Sequence, residues 1–245
     1  MQTLNGMKLD EIVVRCEELI ACLGISLQSG RDFEIFKFFS AESDRETPMD
    51  PIFSPTESDI QLVNGLWLLG RNRSGEVVQT QAMRMLDLQG GNLTQFMTEN
   101  ISQIRPHGYD VDVHKTRWRL SPSASRISGR VMYHGGLWIR RDQRGGSLTT
   151  LITRYLMAKV LLELDPDFIF GLQAPFVACR GLSAREGYPH LEQRSILWHL
   201  NNTNDVFEDW IVWTSREDAE FNLSIPPDEF YAMYEKSSVP VLKSA

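Results

Sequence analysis

The chain has 245 residues, of which 42% are hydrophobic and 23% are charged. These values are typical of a globular protein with room for a sizeable hydrophobic core, and they exclude a mostly disordered chain. The 25 lysines and arginines are outnumbered by 32 aspartates and glutamates, so the formal net charge is −7. This balance argues against nucleic acid as the main partner, because phosphate backbones require a basic surface.

No stretch of the sequence approaches the ~18 apolar residues needed to span a bilayer. The first twenty residues also lack the basic and apolar pattern of a secretory signal peptide, so we expect a cytoplasmic protein with no membrane span. The three cysteines show no C-x-x-C spacing, and the histidines show no ligand spacing. We therefore predict neither a disulfide framework nor a metal site.

The charge is distributed unevenly along the chain. Seven arginines and a single acidic residue lie between positions 117 and 144, whereas nine acidic and three basic residues lie after position 200. The guanidinium group of arginine suits phosphate and carboxylate oxygens. A small phosphorylated ligand is therefore compatible with the sequence despite its negative total charge.

The first half of the chain alternates helical and strand patterns. Apolar residues at helical spacing predict an amphipathic helix at 7–23, and the three prolines of 40–59 predict a loop. Two strands are predicted at 65–72 and 76–86, joined by a turn, and a polar helix is predicted at 92–104. The first strand pair therefore follows an N-terminal helix and a long linker.

The stretch from Arg130 to Leu164 is the most informative part of the sequence. A predicted strand at 130–141 is interrupted by two glycines, Gly135 and Gly136, which often mark a bulge or a close backbone approach. A basic, glycine-containing turn follows, and then an apolar helix is predicted at 148–164. The order strand, basic turn and buried helix is what an anion site at a helix N-terminus requires.

The remaining elements continue the alternation. A short strand is predicted at 167–174, a short helix ending at Gly187, two more strands at 194–200 and 208–215, and a terminal helix after 226.

The turn before the predicted helix has the components of an anion site. Backbone N–H groups at a helix N-terminus have no partner inside the helix, and the helix dipole favours negative charge there. Gly145 and Gly146 allow close approach of the backbone, Ser147 can cap the helix, and Arg140, Arg141 and Arg144 supply positive charge. A pyrophosphate would fit this arrangement; the alternative is an ordinary turn with solvated arginines.

This order of elements resembles the GNAT superfamily of N-acyltransferases. The residues that carry the resemblance are Asp142-Gln143-Arg144-Gly145-Gly146-Ser147-Leu148-Thr149, which match the aspartate, arginine and first glycine of the family's coenzyme A loop. Ser147 and Thr149 stand where the family usually has glycine or alanine. Ser183 stands where many members have a tyrosine that protonates the departing thiolate. The likeness spans 60–215 and extends to acyl-homoserine-lactone synthases.

The resemblance implies an α/β fold with a GNAT-like central mixed β-sheet flanked by helices and an N-terminal helical extension. It implies a single acyltransferase-like domain over 1–245. Within it, 1–60 would form the N-terminal helix and linker, 60–215 the core, and 216–245 the C-terminal tail.

The resemblance also implies an N-acyltransferase that moves an acyl group from acetyl-CoA or a longer acyl-CoA to the amine of a small molecule, by direct attack in a ternary complex. No metal is implied. The residues expected to bind coenzyme A are Trp138, Ile139, Arg140, Arg141, Arg144, Gly145, Gly146, Ser147, Leu148 and Thr149.

A catalytic base would project from the strand before the coenzyme A loop. His134 and Tyr133 are the nearest titratable residues, and histidine titrates close to neutral pH. The alternative for His134 is a role in strand packing, and the alternative for Tyr133 is a half-buried core position.

Two other functions remain open at the level of sequence. The first is an autoinducer-synthase-like enzyme that takes its acyl group from acyl-carrier protein, for which the arginines of 117–141 could form a docking surface. The second is a catalytically silent GNAT-like module that binds a ligand, which Ser147, Thr149 and Ser183 favour. The expected partners are thus a small amine, a possible carrier protein and a possible second copy in a homodimer.

Overall fold

The computed structural model describes residues 8–46, 48–106, 108–119 and 122–236. No helix within these ranges is long and apolar enough to cross a membrane. The helices are α1 (Leu9–Cys22), α2 (Phe33–Ala41), α3 (Leu93–Glu99), α4 (Ile101–Ile104), α5 (Leu148–Glu163), α6 (Pro175–Ala178), α7 (Leu182–Arg185), α8 (Arg216–Leu223) and α9 (Pro227–Lys236). The strands are β1 (Ser26–Gly30), β2 (Gly65–Arg71), β3 (Val77–Leu86), β4 (Arg117–Trp118), β5 (Val131–Ile139), β6 (Phe168–Gln173), β7 (His190–His199) and β8 (Val206–Ser215).

The described strands form one eight-stranded sheet in the order β1-β2-β3-β5-β6-β8-β7-β4. Strands β5 and β6 are parallel, and the other neighbouring strands are antiparallel. Parallel neighbours need a crossover connection, and helix α5 provides it between β5 and β6. The expected mixed sheet flanked by helices is therefore confirmed.

Helix α5 is buried on nearly all sides because it lies between the sheet and the terminal helices. Its residues Leu151 and Tyr155 belong to the same hydrophobic cluster as Ile12, Cys16 and Ile20 of α1. A helix that is apolar around its whole circumference requires such a covering layer. The expected N-terminal helical extension is thus confirmed as α1, which helps to cover α5.

The other face of the sheet is covered by α2, the 3₁₀ turn at Pro51–Phe53 and the α3–α4 segment. Phe36 and Phe53 are fully buried there. The predicted helix at 92–104 is divided into α3 and α4 at Asn100. The predicted short helix before Gly187 is likewise divided, because Gly181 adopts a φ of 75° between α6 and α7.

Four elements were not predicted from the sequence: β1, α2, β4 and α8. Strand β1 has the polar sequence SLQSG and is held at the sheet edge by its backbone pairing with β2. Helix α2 begins at an Asp32 cap whose carboxylate accepts hydrogen bonds from the N–H groups of Glu34 and Ile35. Ser215 caps α8 in the same way through the N–H of Asp218. These elements are defined by edge pairing and capping, which hydrophobic periodicity does not report.

Candidate active site

The opening between β5 and β6 defines the candidate site. These strands pair from Val131 with Phe168 to His134 with Gly171, and beyond this point they separate. Strand β6 continues its pairing with β8 as far as Gln173. The separation therefore begins on β5 at Gly135 and Gly136, beyond which β5 stays paired with β3 as far as Ile139.

A bulge in β5 accompanies this separation. Ala82 of β3 pairs with Gly135, whereas Thr80 pairs with Trp138, so two residues of β5 lie opposite Gln81 alone. Gly136 has a φ of 63°, which glycine adopts at little cost. Bulges bend the strand that carries them. The interruption expected at the two glycines is therefore confirmed and has a structural consequence.

The carbonyl of Gly136 is fixed by two donors. The Thr80 hydroxyl and Nη1 of Arg45 each lie 3.2 Å from this oxygen. The Arg45 side chain is largely buried, and burial lowers its pKa from the usual value, although the negative charge of Asp50 opposes this shift. Because a buried carbonyl needs a donor, these contacts stabilise the bulged geometry.

Two contiguous cavities open between the separated strands. The first, of about 360 Å³, is here called the loop cavity, and the second, of about 260 Å³, is called the central cavity. The residues common to both linings are Leu137, Val177 and Leu182. The two cavities therefore adjoin at these three apolar residues, between β5 and the α6–α7 segment, and this junction is here called the passage.

The loop cavity lies beside the turn that leads into α5, and Gly145 and Thr149 line it. No backbone hydrogen bond within the described ranges is found for the N–H groups of Gly145, Gly146 and Ser147. Gly145 has a φ of 96°, and a Cβ added at either glycine would meet no atom within 4 Å. The turn thus presents free backbone donors and open space at a helix N-terminus, which suits a phosphate group.

Two buried polar atoms beside this turn also lack a partner within the described part of the chain: Oγ of Ser147 and Nε of Arg185. Ser147 is only 2% exposed and does not cap α5 with its side chain. Buried donors without partners are unusual in folded proteins. Together with the free N–H groups, they fit an anionic ligand.

The arginines predicted to bind the ligand are separated by the structure. Arg144 lines the loop cavity, and its Nε donates to the carbonyl of Ile139 at 2.7 Å. Arg140 instead forms ion pairs with Glu76 and Asp142, and Arg141 is exposed outside the cavity lining.

The loop cavity also contains two arginines that were missed. Arg180 and Arg185, from the α6–α7 segment, line the cavity together with Arg144. No local motif identifies them, because their role depends on where α6 and α7 pack over the separated strands.

The other predicted coenzyme A residues divide between the cavity and the core. Trp138, Ile139 and Thr149 line the loop cavity together with Gly145, whereas Leu148 belongs to the hydrophobic core under α5.

His134 lies at the centre of a buried hydrogen-bond chain. Its Nδ1 is 2.7 Å from Oη of Tyr188, and its Nε2 is 3.0 Å from Oε1 of Gln81. The Gln81 amide is oriented because its Nε2 donates to the carbonyl of Ile152 at 2.9 Å. Its Oε1 must therefore accept from His134 Nε2–H, so Nδ1 is the acceptor and Tyr188 donates to it. Burial lowers the pKa of His134 to about 4, so the imidazole is neutral at pH 7.

Tyr133 points to the opposite face of the sheet from His134, where its ring packs against Phe53 and Phe170. It lines the central cavity. Burial, followed by the charges of Asp50 and Asp209, raises its pKa well above the usual value. Tyr133 therefore stays protonated at neutral pH. The structure brings both candidate bases to one cavity, with a hydrogen-bond chain at His134.

The central cavity is acidic, a feature that the sequence analysis did not find. Asp50, Glu186 and Asp209 line it, together with the single arginine Arg45. The Asp209 carboxylate accepts a hydrogen bond from Nε1 of Trp198 at 2.8 Å, and burial raises the pKa of Asp209. The loop cavity differs in charge, because the described residues of its lining include three arginines and no acidic residue.

Comparisons with known proteins give similarities of structure only. No protein-family model and no curated protein sequence matches the chain. It is similar to NAA60 of Arabidopsis thaliana, solved with acetyl-CoA, at 9% identity and a TM-score of 0.45, over 79% of this chain and 99% of that one. It is also similar to a spermidine N-acetyltransferase from Vibrio cholerae at 12% identity and a TM-score of 0.44, over 80% of this chain and 95% of that one.

The chain itself has the features that the GNAT resemblance implies. These are a mixed sheet with one parallel pair, a separation of that pair, and a glycine-containing turn leading into the crossover helix. The fold is therefore a GNAT-like α/β fold.

Proposed function

We propose that this protein is an N-acyltransferase that transfers an acyl group from acetyl-CoA or a longer acyl-CoA to the amine of a small molecule. The observation that carries the proposal is the opening between β5 and β6, which joins the loop cavity to the central cavity. An anion site and a buried proton-accepting chain thus lie at the two ends of one passage.

The loop cavity has the groups needed to hold the phosphates of coenzyme A. Arg144, Arg180 and Arg185 line it, and the N–H groups of Gly145 and Gly146 beside it have no backbone partner within the described ranges. The apolar passage would hold the pantetheine arm and bring the thioester to the central cavity. When bound, acyl-CoA supplies the activated acyl group. The protein then has to orient both reactants and move protons.

The hydrogen-bond chain at His134 can remove the proton of the attacking amine. Tyr188 Oη accepts this proton while its own proton passes to Nδ1 of His134, which is free to receive it because the imidazole is neutral. Gln81 holds the tautomer in which Nδ1 is the acceptor. His134 then acts as the base through Tyr188, and the chain returns the proton to solvent.

The acidic lining of the central cavity favours a positively charged acceptor. Asp50 and Asp209 both line this cavity. Carboxylates stabilise an ammonium group by charge and hydrogen bonding. A small molecule with a second basic group beside the reacting amine could form ion pairs with these carboxylates.

The proposal is tested by thermal shift and by release of free thiol. Free coenzyme A and acetyl-CoA should raise the melting temperature, and a panel of cationic amines should release thiol from acyl-CoA. Arg144→Ala should weaken coenzyme A binding about 10-fold, since a charge-assisted hydrogen bond contributes ~1.5–3 kcal/mol. Arg126→Ala, at an exposed position outside both cavities, is the matched control. Absence of stabilisation by every thioester and by coenzyme A would contradict the proposal.

A carrier-protein donor is the second proposal. Arg144 and Arg180 line the loop cavity and are exposed to solvent, so they could contact an acidic carrier protein at the same entrance. Acylated carrier protein belongs in the same assay. Turnover with this donor but not with acyl-CoA would favour the second proposal, and ligand binding without any turnover would favour a silent module.

A further inference from the structure

Glu186 is a buried acidic residue that the proposed reaction has not yet used. It follows α7 directly and is only 3% exposed. It lines the central cavity together with His134 and Tyr188. A buried carboxyl at such a position is costly when ionised, so its presence in a cavity calls for an explanation.

A short hydrogen-bond chain orients the Glu186 carboxyl. The Ser183 hydroxyl donates to Oε1 of Gln173 at 2.7 Å, and Nε2 of Gln173 donates to Oε2 of Glu186 at 2.6 Å. The first contact fixes the orientation of the Gln173 amide, which in turn fixes one oxygen of Glu186. No other hydrogen bond to this carboxyl is found in the part of the chain that the structure describes. Its second oxygen is therefore available to a ligand.

The surroundings of Glu186 keep it protonated at neutral pH. Burial raises its pKa to about 8, against the lowering effects of the Gln173 hydrogen bond and of the neighbouring charge of Arg185. The other titratable or charged groups that line the same cavity are Arg45, Asp50, Tyr133, His134, Tyr188 and Asp209. A protonated carboxyl is a hydrogen-bond and proton donor.

Ser183 occupies the position at which the GNAT resemblance places an acidic tyrosine. Its side chain is short and buried, and its proton is already donated to Gln173. Through Gln173, however, Ser183 is connected to Glu186. Of these three connected residues, Glu186 is the one that brings a transferable proton to the cavity, since Ser183 is not in its described lining.

We propose that Glu186 is the general acid that protonates the departing thiolate. This inference rests on the proposed acyltransferase function. A bond forms between the acceptor nitrogen and the acyl carbon, the bond from that carbon to sulfur breaks, and sulfur keeps the electron pair. Glu186 gives its proton to sulfur and becomes a carboxylate, while the amine proton leaves through Tyr188 and His134. Glu186 then regains a proton from solvent, so protons and charges balance.

The test is the pH dependence of kcat in Glu186→Gln. The wild type should lose activity above about pH 8, because the ionised carboxyl has no proton to give. In Glu186→Gln, kcat at pH 7 should fall about 100-fold and the loss at high pH should disappear. Gln at this position can still accept the Gln173 hydrogen bond. Glu217→Gln, at an exposed position in α8, is the matched control and should keep the wild-type profile.

Two further measurements separate loss of the Glu186 acid from loss of its supporting hydrogen bond, and test directly whether Glu186 is protonated. Ser183→Ala removes the support of Gln173 but keeps the acid, so it should lower kcat less than Glu186→Gln and retain the loss at high pH. The infrared difference spectrum between wild type and Glu186→Gln at pH 7 should contain the carbonyl band of a protonated carboxylic acid. Absence of this band would overturn the inference.

An unchanged pH profile in a folded Glu186→Gln variant would also overturn the inference about Glu186. If the wild type turns over in the same assay, the proposed acyltransferase function is not affected by that result. A wild type that neither binds a thioester nor turns over would overturn the proposed function and this role together.

Discussion

The two cavities are contiguous, but the chain builds them in different ways. Six residues that line the loop cavity come from the single stretch 137–149, and the others come from 176–185. The central cavity is lined by residues from several distant segments, which include 45–50, 104–106, 133–137 and 209–212. A site formed by one continuous segment leaves a motif in the sequence, whereas a site assembled from several segments leaves none.

The cavities also differ in charge, and this difference gives them separate tasks. Among the described residues, the loop cavity is lined by three arginines, and the central cavity is lined by Arg45, the carboxylates of Asp50 and Asp209 and the protonated carboxyl of Glu186. An anionic donor and a cationic acceptor would thus be drawn to opposite ends of the passage. Substitutions of charged residues in one cavity should therefore change the affinity for one substrate and leave the affinity for the other unchanged.

The largest effect is expected for Tyr188→Phe in the central cavity. Removal of Oη breaks the path from the acceptor amine to His134, so kcat should fall by about 10²–10⁴-fold, the usual range for general acid–base catalysis. The dissociation constant for coenzyme A should not change. Steady-state kinetics and thermal shift measure both quantities. Tyr109→Phe, at an exposed tyrosine outside both cavities, is the control, and equal losses in the two variants would refute the relay.

A smaller effect is expected for Asp209→Asn, also in the central cavity. The asparagine can still accept the hydrogen bond from Trp198, but it no longer attracts a cation. KM for a cationic amine should rise about 10-fold, since a charged hydrogen bond contributes ~1.5–3 kcal/mol. KM for an uncharged amine analogue should change little. Asp205→Asn, on an exposed loop, is the control. A similar rise of KM for both amines would show that charge recognition is not the cause.

The smallest effect is expected for Gly145→Ala in the loop cavity. Gly145 and Gly75 both adopt a positive φ, and an added Cβ meets no atom within 4 Å at either position. Alanine should therefore lower the free energy of unfolding by about 1 kcal/mol at each position, through backbone strain alone. Only Gly145→Ala should weaken coenzyme A binding, by a few-fold, because its methyl group occupies the space beside the free N–H groups. Equal affinities in the two variants would contradict the loop assignment.

The sequence predictions are accurate where the signal lies within one segment of the chain, and they miss residues that distant segments bring together. Helix α5 and the bulge at Gly135 and Gly136 could be predicted because an apolar run and a glycine pair are local signals. Gln81 and Tyr188 could not be predicted, since they lie 53 and 54 positions from His134 in the chain. Arg140 shows the reverse case: its place beside the motif suggested a ligand contact, but the structure pairs it with Glu76, in the turn before β3.

The sequence by itself determined the order of strands and helices apart from β1, α2, β4 and α8, the glycine-containing turn before α5 and the concentration of arginines that ends there. These features depend on local periodicity, backbone freedom and charge, which a single sequence contains. The tertiary structure alone decided that the pairing of β5 with β6 ends at His134, that Arg180 and Arg185 line one cavity with Arg144, and that Asp50, Glu186 and Asp209 line another. Those relations depend on which segments pack together, and burial then sets the protonation states of His134 and Glu186.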